Sequence, residues 1–174
     1  MAHILIVDDE EQIRRFLNRM LTRQGHECAL SADAAEARKI LNEQRFELVL
    51  CDINMPGESG IELAQHVRSE YRDTAVIMVT GVDDPVVADG VMMAGAYGYI
   101  IKPFEANEII INVRNALRRR ELEIANREYL KNLEKIVEER TASLQKTLHG
   151  VVYAMSLAVE SRDPYTSGHQ RRVG

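Results

Sequence analysis

The stretch Glu47-Leu48-Val49-Leu50-Cys51-Asp52-Ile53-Asn54-Met55-Pro56-Gly57 limits what this chain can become more than any other, because a continuous apolar run stops at a carboxylate and then at a Pro-Gly turn. A run of this length bounded by such residues reads as a strand buried on both faces of a parallel sheet. Asp52 then stands at the carboxyl end of a central strand, where open α/β sheets bind their ligands. A second run, Ile4-Leu5-Ile6-Val7, ends in Asp8-Asp9. If the two strands are neighbours, three carboxylates share one crevice. At ~4 Å and an effective dielectric near 20, each like-charged pair repels by about 4 kcal/mol, more than an exposed ion pair contributes. The crevice therefore calls for a cation, and an all-oxygen site suits Mg²⁺.

The remaining elements follow from periodicity. Ile13, Phe16, Leu17, Met20 and Leu21 recur at helical spacing, and Gly25 closes that helix as a C′ glycine. His26 to Ser31 forms a short second strand, and Asp33 caps an Ala-rich helix with Ala34, Ala37, Ile40 and Leu41 facing inward. Ile61, Leu63, Ala64 and Val67 mark a third helix, Ala75 to Val79 a fourth strand ending in Thr80-Gly81, and residues 84 to 94 a fourth helix. Tyr97 to Ile101 is a fifth strand running into Lys102-Pro103-Phe104, and Ile109, Ile110, Val113, Ala116 and Leu117 mark a fifth helix. Five strands alternating with five helices predict an α/β fold: a flavodoxin-like, five-stranded parallel sheet of order 2-1-3-4-5, covered by helices on both faces. That order brings Asp8, Asp9, Asp52 and Thr80 to one edge, with Lys102 arriving from the fifth strand.

Beyond Leu117 the chain becomes a charge-laced helix with no Pro until Pro164, predicting a long C-terminal stalk. Apolar positions at 122, 125, 129, 133, 137, 144, 148, 151, 155 and 158 follow a three-four spacing with a stutter between Val137 and Leu144. Such a stripe predicts a parallel homodimer through residues 118–158. The expected organisation is a domain over 1–118, a helical linker over 119–150 and the start of a further module over 151–174. Residues 1–117 carry 11 basic against 19 acidic side chains, which disfavours nucleic acid as a partner; residues 118–174 carry 11 against 8. No run of eighteen apolar residues predicts a membrane span, and the N-terminus enters a strand without a signal-like stretch, so a cytoplasmic protein is expected. Cys28 and Cys51 have neither metal nor disulfide spacing and read as core residues.

The acidic edge suggests a chemistry. With a bound Mg²⁺ offsetting charge, Asp52 is a candidate carboxylate nucleophile toward a phosphoryl group. The Thr80 hydroxyl can donate to a phosphoryl oxygen, and the Lys102 ammonium can pair with another. His3 and His26 lie at strand starts on the opposite edge, so no evident general base accompanies the site. Leu5-Ile6-Val7-Asp8-Asp9, Cys51-Asp52-Ile53-Asn54-Met55-Pro56 with Gly60, Met78-Val79-Thr80-Gly81, and Gly98-Tyr99-Ile100-Ile101-Lys102-Pro103-Phe104 together resemble the receiver domain of two-component response regulators, over about residues 1–120. The resemblance implies that Asp52 accepts phosphate from a sensor histidine kinase. It also implies that Asp9, Asp52, the Asn54 carbonyl and, through water, Asp8 hold Mg²⁺. Thr80 and Tyr99 would form a switch pair that reports to the face made by the fourth helix, fifth strand and fifth helix, and the Lys102–Pro103 bond would be cis. Gly81 departs from the family, which more often has Ala there, and should leave the phosphoryl site more open.

Ala154 to Val173, with Glu160-Ser161-Arg162-Asp163-Pro164-Tyr165-Thr166-Ser167-Gly168-His169-Gln170-Arg171-Arg172-Val173, resembles the first segment of an HD-GYP domain, a metal-dependent cyclic di-GMP phosphodiesterase module. By that pattern His169 is an early metal ligand. The His-Asp pair and the Gly-Tyr-Pro segment are absent from this sequence, so the chain itself is expected to hydrolyse no cyclic dinucleotide, whatever a longer parent does. Arg118-Arg119-Arg120 raises a third possibility, a DNA-binding regulator, but no helix-turn-helix follows and the triplet reads as a solvated stalk surface.

Overall fold

The computed structural model describes residues 1–81, 90 and 95–162. The elements run β1 (His3–Val7), α1 (Glu11–Arg23), β2 (Glu27–Ser31), α2 (Ala34–Glu43), β3 (Leu48–Asp52), α3 (Gly60–Glu70), β4 (Ala75–Thr80), β5 (Gly98–Ile101) and α4 (Ala106–Arg162). The helix expected over 84–94 lies outside the described residues. The five strands form one parallel sheet of order β2-β1-β3-β4-β5, as the alternation of elements predicts.

The strands look apolar throughout because successive residues point to opposite faces and both faces are covered. Leu5, Val7, Val49, Cys51, Val76 and Met78 pack under Ala34, Ala37 and Leu41 of α2 and Leu63, Ala64 and Val67 of α3. Ile4, Ile6, Leu48, Leu50, Ile77, Val79 and Ile100 pack under Leu17, Met20 and Leu21 of α1 and Ile109, Val113 and Ala116 of α4. Phe16 is different. Five apolar positions make the α1 stripe wider than the sheet covers, and Phe16 stays 46 % exposed, tilted against Phe104 with ring centroids 6.3 Å apart.

Capping follows the sequence. The Asp33 side chain accepts from the Glu36 N–H at 2.7 Å at the start of α2, and Ser59 and Glu62 form a reciprocal capping box at the start of α3. Gly25 follows the α1 cap with φ +85°, a left-handed conformation that favours glycine. The chain divides into two compact units, Met1–Ala125 and Asn126–Gly174. In the second, the helix continues through Gly150 to Arg162. No helix among the described residues is long and apolar enough to cross a membrane.

Candidate functional site

Register places the acids. Val7 pairs with Cys51 and Asp52 with Val79, so Asp8 and Asp52 stand at the same level on adjacent strands, and Thr80 is one residue past Asp52's partner. Asp8, Asp52 and Thr80 are buried, being 2 %, 4 % and 0 % exposed, while Asp9 is exposed at the rim. One carboxylate oxygen from each of Asp8, Asp9 and Asp52 lies within 4.8 Å of the others. The expected convergence is therefore present.

Lys102 does more than was expected of it. Its Nζ donates to Asp8 Oδ2 at 2.9 Å and to Asp52 Oδ2 at 2.9 Å, and lies 3.4 Å from Glu10 Oε1. The charge penalty of two adjacent buried carboxylates is thus partly relieved from within the chain. Burial acts against the charged ammonium, but hydrogen bonds to Asp52 and Asp8 outweigh it and hold Lys102 protonated well above the ordinary lysine range. Burial also pushes the Asp8 carboxyl up, opposed by Lys102 and by the Glu10 N–H that donates to Asp8 Oδ1 at 2.9 Å. Lys102 is held at the end of β5, where its N–H donates to the Thr80 carbonyl at 2.6 Å; the Lys102–Pro103 peptide is cis, as the resemblance implies.

The loop after β3 is shaped by close approach. Ile53 N–H donates to the Val79 carbonyl at 2.9 Å, Gly60 N–H to the Ile53 carbonyl at 3.1 Å, and Asn54 N–H to Asp52 Oδ1 at 3.4 Å. Asn54 itself is exposed beside the acids' strand end. Cys51 is fully buried, as expected; burial raises its thiol far above the usual range, so it acts as a small apolar residue. Cys28 is half-buried against the other core. Tyr99 lies half-buried in β5, paired with Met78. His169 lies outside the described residues. The residue missed was Glu10, the third acid of the run Asp8-Asp9-Glu10, whose place near Lys102 depends on α1 starting there.

The donor set fits a hard divalent cation. Three carboxylates, two of them buried, face one ammonium, which leaves two negative charges for an ion that prefers oxygen ligands.

The comparisons agree with this edge. Residues 4–114 match the family model of the response regulator receiver domain. Over 117 residues the chain is 39 % identical to the aerobic respiration control protein ArcA of Escherichia coli, covering 67 % of this chain and 49 % of that one. The chain thus spans about half the length of the curated relatives it matches. A solved receiver domain protein from Clostridium thermocellum aligns with a TM-score of 0.66 at 31 % identity, over 70 % of this chain and 98 % of that one. The response regulator protein TrrA from Thermotoga maritima, solved in complex with Mg²⁺-BeF, aligns with a TM-score of 0.61 at 34 % identity, over 67 % and 99 %. With sheet order, acidic edge and family match in accord, the chain belongs to the response regulator receiver domain family.

Proposed function

We propose that Asp52 is the phosphoryl acceptor of a two-component pathway, taking its phosphate from the histidine of a sensor kinase. The observation that carries this is the convergence of Asp8, Asp9 and Asp52 within 4.8 Å, with Lys102 bridging two of them. A carboxylate oxygen of Asp52 attacks phosphorus; the P–N bond to the donor imidazole breaks, an acyl phosphate forms, and the leaving imidazole takes up a proton. Asp8, Asp9, Asp52 and the Asn54 carbonyl would hold Mg²⁺, whose contribution when bound is to offset the charge gathered on the phosphoryl oxygens. Lys102 is placed to turn from carboxylate to phosphoryl oxygen as Asp52 loses its free charge. Thr80 offers a hydroxyl at the same edge, and Tyr99, two residues before Thr80's partner Ile101 in β5, is read as its switch partner. Acetyl phosphate tests the acceptor directly. Wild type should gain one phosphoryl mass in the presence of Mg²⁺ and almost none with the metal chelated, and labelling indifferent to Mg²⁺ would overturn the reading.

Residues 1–118 form the receiver in this reading, 119–150 a linker, and 151–174 the start of an output module of HD-GYP type. The linker is read as pairing two copies in parallel. Leu122, Tyr129, Leu133, Val137, Leu144, Leu148, Val151 and Met155 are between 38 % and 64 % exposed, a stripe that a single helix leaves uncovered. With Asn126 taken in place of Ala125 and Arg140 filling the step from Val137 to Leu144, the stripe advances by four, four and three residues, an 11-residue repeat. The stutter in a heptad reading is thus a regular feature. A polar residue such as Asn126 inside the stripe meets its own copy only when the helices run parallel and in register. Sedimentation of the whole chain should show a dimer. Leu133→Glu with Leu144→Glu should weaken it by more than about 100-fold, since each buries a charge in the seam. A wild-type monomer at high micromolar concentration would refute the pairing.

A further inference from the structure

We propose that the Arg38–Glu58 ion pair is a clamp that sets the Mg²⁺ affinity of the acidic edge, acting through the loop that carries Asn54. The inference rests on the metal-site reading above and adds to it two residues that touch neither metal nor phosphate.

The loop between β3 and α3 holds Asn54, whose carbonyl is the one backbone ligand in that reading. Its two ends are fixed by the backbone: Ile53 bonds to Val79 and Gly60, and Ser59 starts α3 through its capping box. The span between is short of such restraints. Asn54 and Pro56 are exposed, Gly57 turns the chain at φ +85°, and only Met55 packs partly against the core. Glu58 supplies what is missing. Its carboxylate accepts from Arg38 Nε at 3.0 Å and 3.2 Å and from Arg38 Nη2 at 2.5 Å, a two-pronged contact from the middle of α2. Among the described residues it is the loop's one side chain hydrogen-bonded to a separate element.

Geometry separates this pair from an ordinary surface contact. The two side chains are only 34 % and 28 % exposed, and the guanidinium fork fixes direction as well as distance. Arg38 is itself held, because α2 is anchored by Ala37 and Leu41 in the core and by its Asp33 cap. A rigid helix thus reaches over and pins the loop four residues beyond Asn54. Groups hydrogen-bonded directly to a metal ligand affect affinity by about 10- to 100-fold without touching the ion, and a support four residues from the ligand belongs at the lower end of that range.

The test reads metal binding on the whole chain. Amide chemical shifts of residues 52–60 are titrated with MgCl₂ for wild type, Arg38→Met, Glu58→Gln, the double variant, and the charge swap Arg38→Glu with Glu58→Arg, each with a thermal melt. Each single variant should raise the Mg²⁺ Kd about 10-fold. The double variant should be no worse than either single one, and the swap should recover most of the affinity. Melting temperatures should stay close together, and phosphorylation by acetyl phosphate should shift its half-maximal Mg²⁺ while keeping its plateau. An unchanged Kd in the single variants, or a loss that only follows thermal stability, or a swap with no recovery, overturns the clamp and leaves the metal site standing. A wild type whose shifts do not respond to MgCl₂ overturns the metal site and the clamp with it.

Discussion

Asp52→Asn is expected to take up no phosphoryl group from acetyl phosphate in the presence of Mg²⁺, a loss of at least about 100-fold in labelling, because an amide offers no carboxylate nucleophile. The substitution is nearly isosteric, so the edge keeps its shape and the test isolates chemistry. The harder question is why neither neighbouring carboxylate should stand in. Asp8 has both oxygens engaged, Oδ1 by the Glu10 N–H and Oδ2 by Lys102, each at 2.9 Å, and it is 2 % exposed. Asp9 lies on the turn past β1, at the exposed rim. Asp52 differs from both: Oδ2 is held by Lys102, while among the described residues Oδ1 has only the long 3.4 Å contact from Asn54 N–H. One oxygen is thus steadied and the other left able to attack. Intact-protein mass after incubation reads the outcome, and comparable labelling of the variant would move the acceptor to Asp8 or Asp9.

Much of this was legible in the sequence because burial on both sheet faces leaves a strong mark. Leu48 to Cys51 and Ile4 to Val7 are unbroken apolar runs since alternate residues serve two different cores. Where each run ends in an acid, the chain has reached the carboxyl end of its strand, and parallel topology puts all such ends on one edge. What stayed hidden depends on side-chain reach. Lys102 was readable as a cation at the edge, yet nothing in its spacing said that it would bridge Asp8 and Asp52 itself. Phe16 shares the helical period of its neighbours, and only the width of the covering sheet decides that it stays out. Arg38 and Glu58 lie twenty residues apart, on a helix and after a Pro-Gly turn, where charges are ordinary; their pairing arises from the packing of α2 beside that loop. In the proposed pairing of the stalk, asparagine and arginine at 126 and 140 obscure the repeat for a similar reason, since a polar residue in a seam looks like a break in it.

Gly60→Ala is expected to destabilise the receiver by about 3 kcal/mol, at the upper end of overpacking effects. A methyl built at this position would lie 1.9 Å from the carbonyl oxygen of Asp52 and 2.8 Å from its carbonyl carbon, with Cys51 Sγ at 3.0 Å. Two of those atoms are backbone of the central strand, so no side-chain rotation relieves the clash. Either the first turn of α3 lifts away, breaking the Gly60 N–H to Ile53 bond and the Ser59 capping box, or Asp52 is driven out of line with Asp8. Stability and metal binding should therefore fall together, which separates this substitution from the Arg38 and Glu58 variants. Gly81→Ala is the matched control: its added methyl meets nothing within 4 Å among the described residues, its φ is not in the left-handed region, and it places there the residue more usual in receivers. It should change stability by less than about 1 kcal/mol, and if anything favourably, through a less flexible unfolded chain. Thermal or urea melts of the two variants decide the matter. A drop of roughly 10 °C for Gly60→Ala beside an unmoved Gly81→Ala is the expected pair of results. Equal, small effects would mean that the contact between the start of α3 and the Asp52 carbonyl is loose, and that the edge owes its geometry to the strands alone.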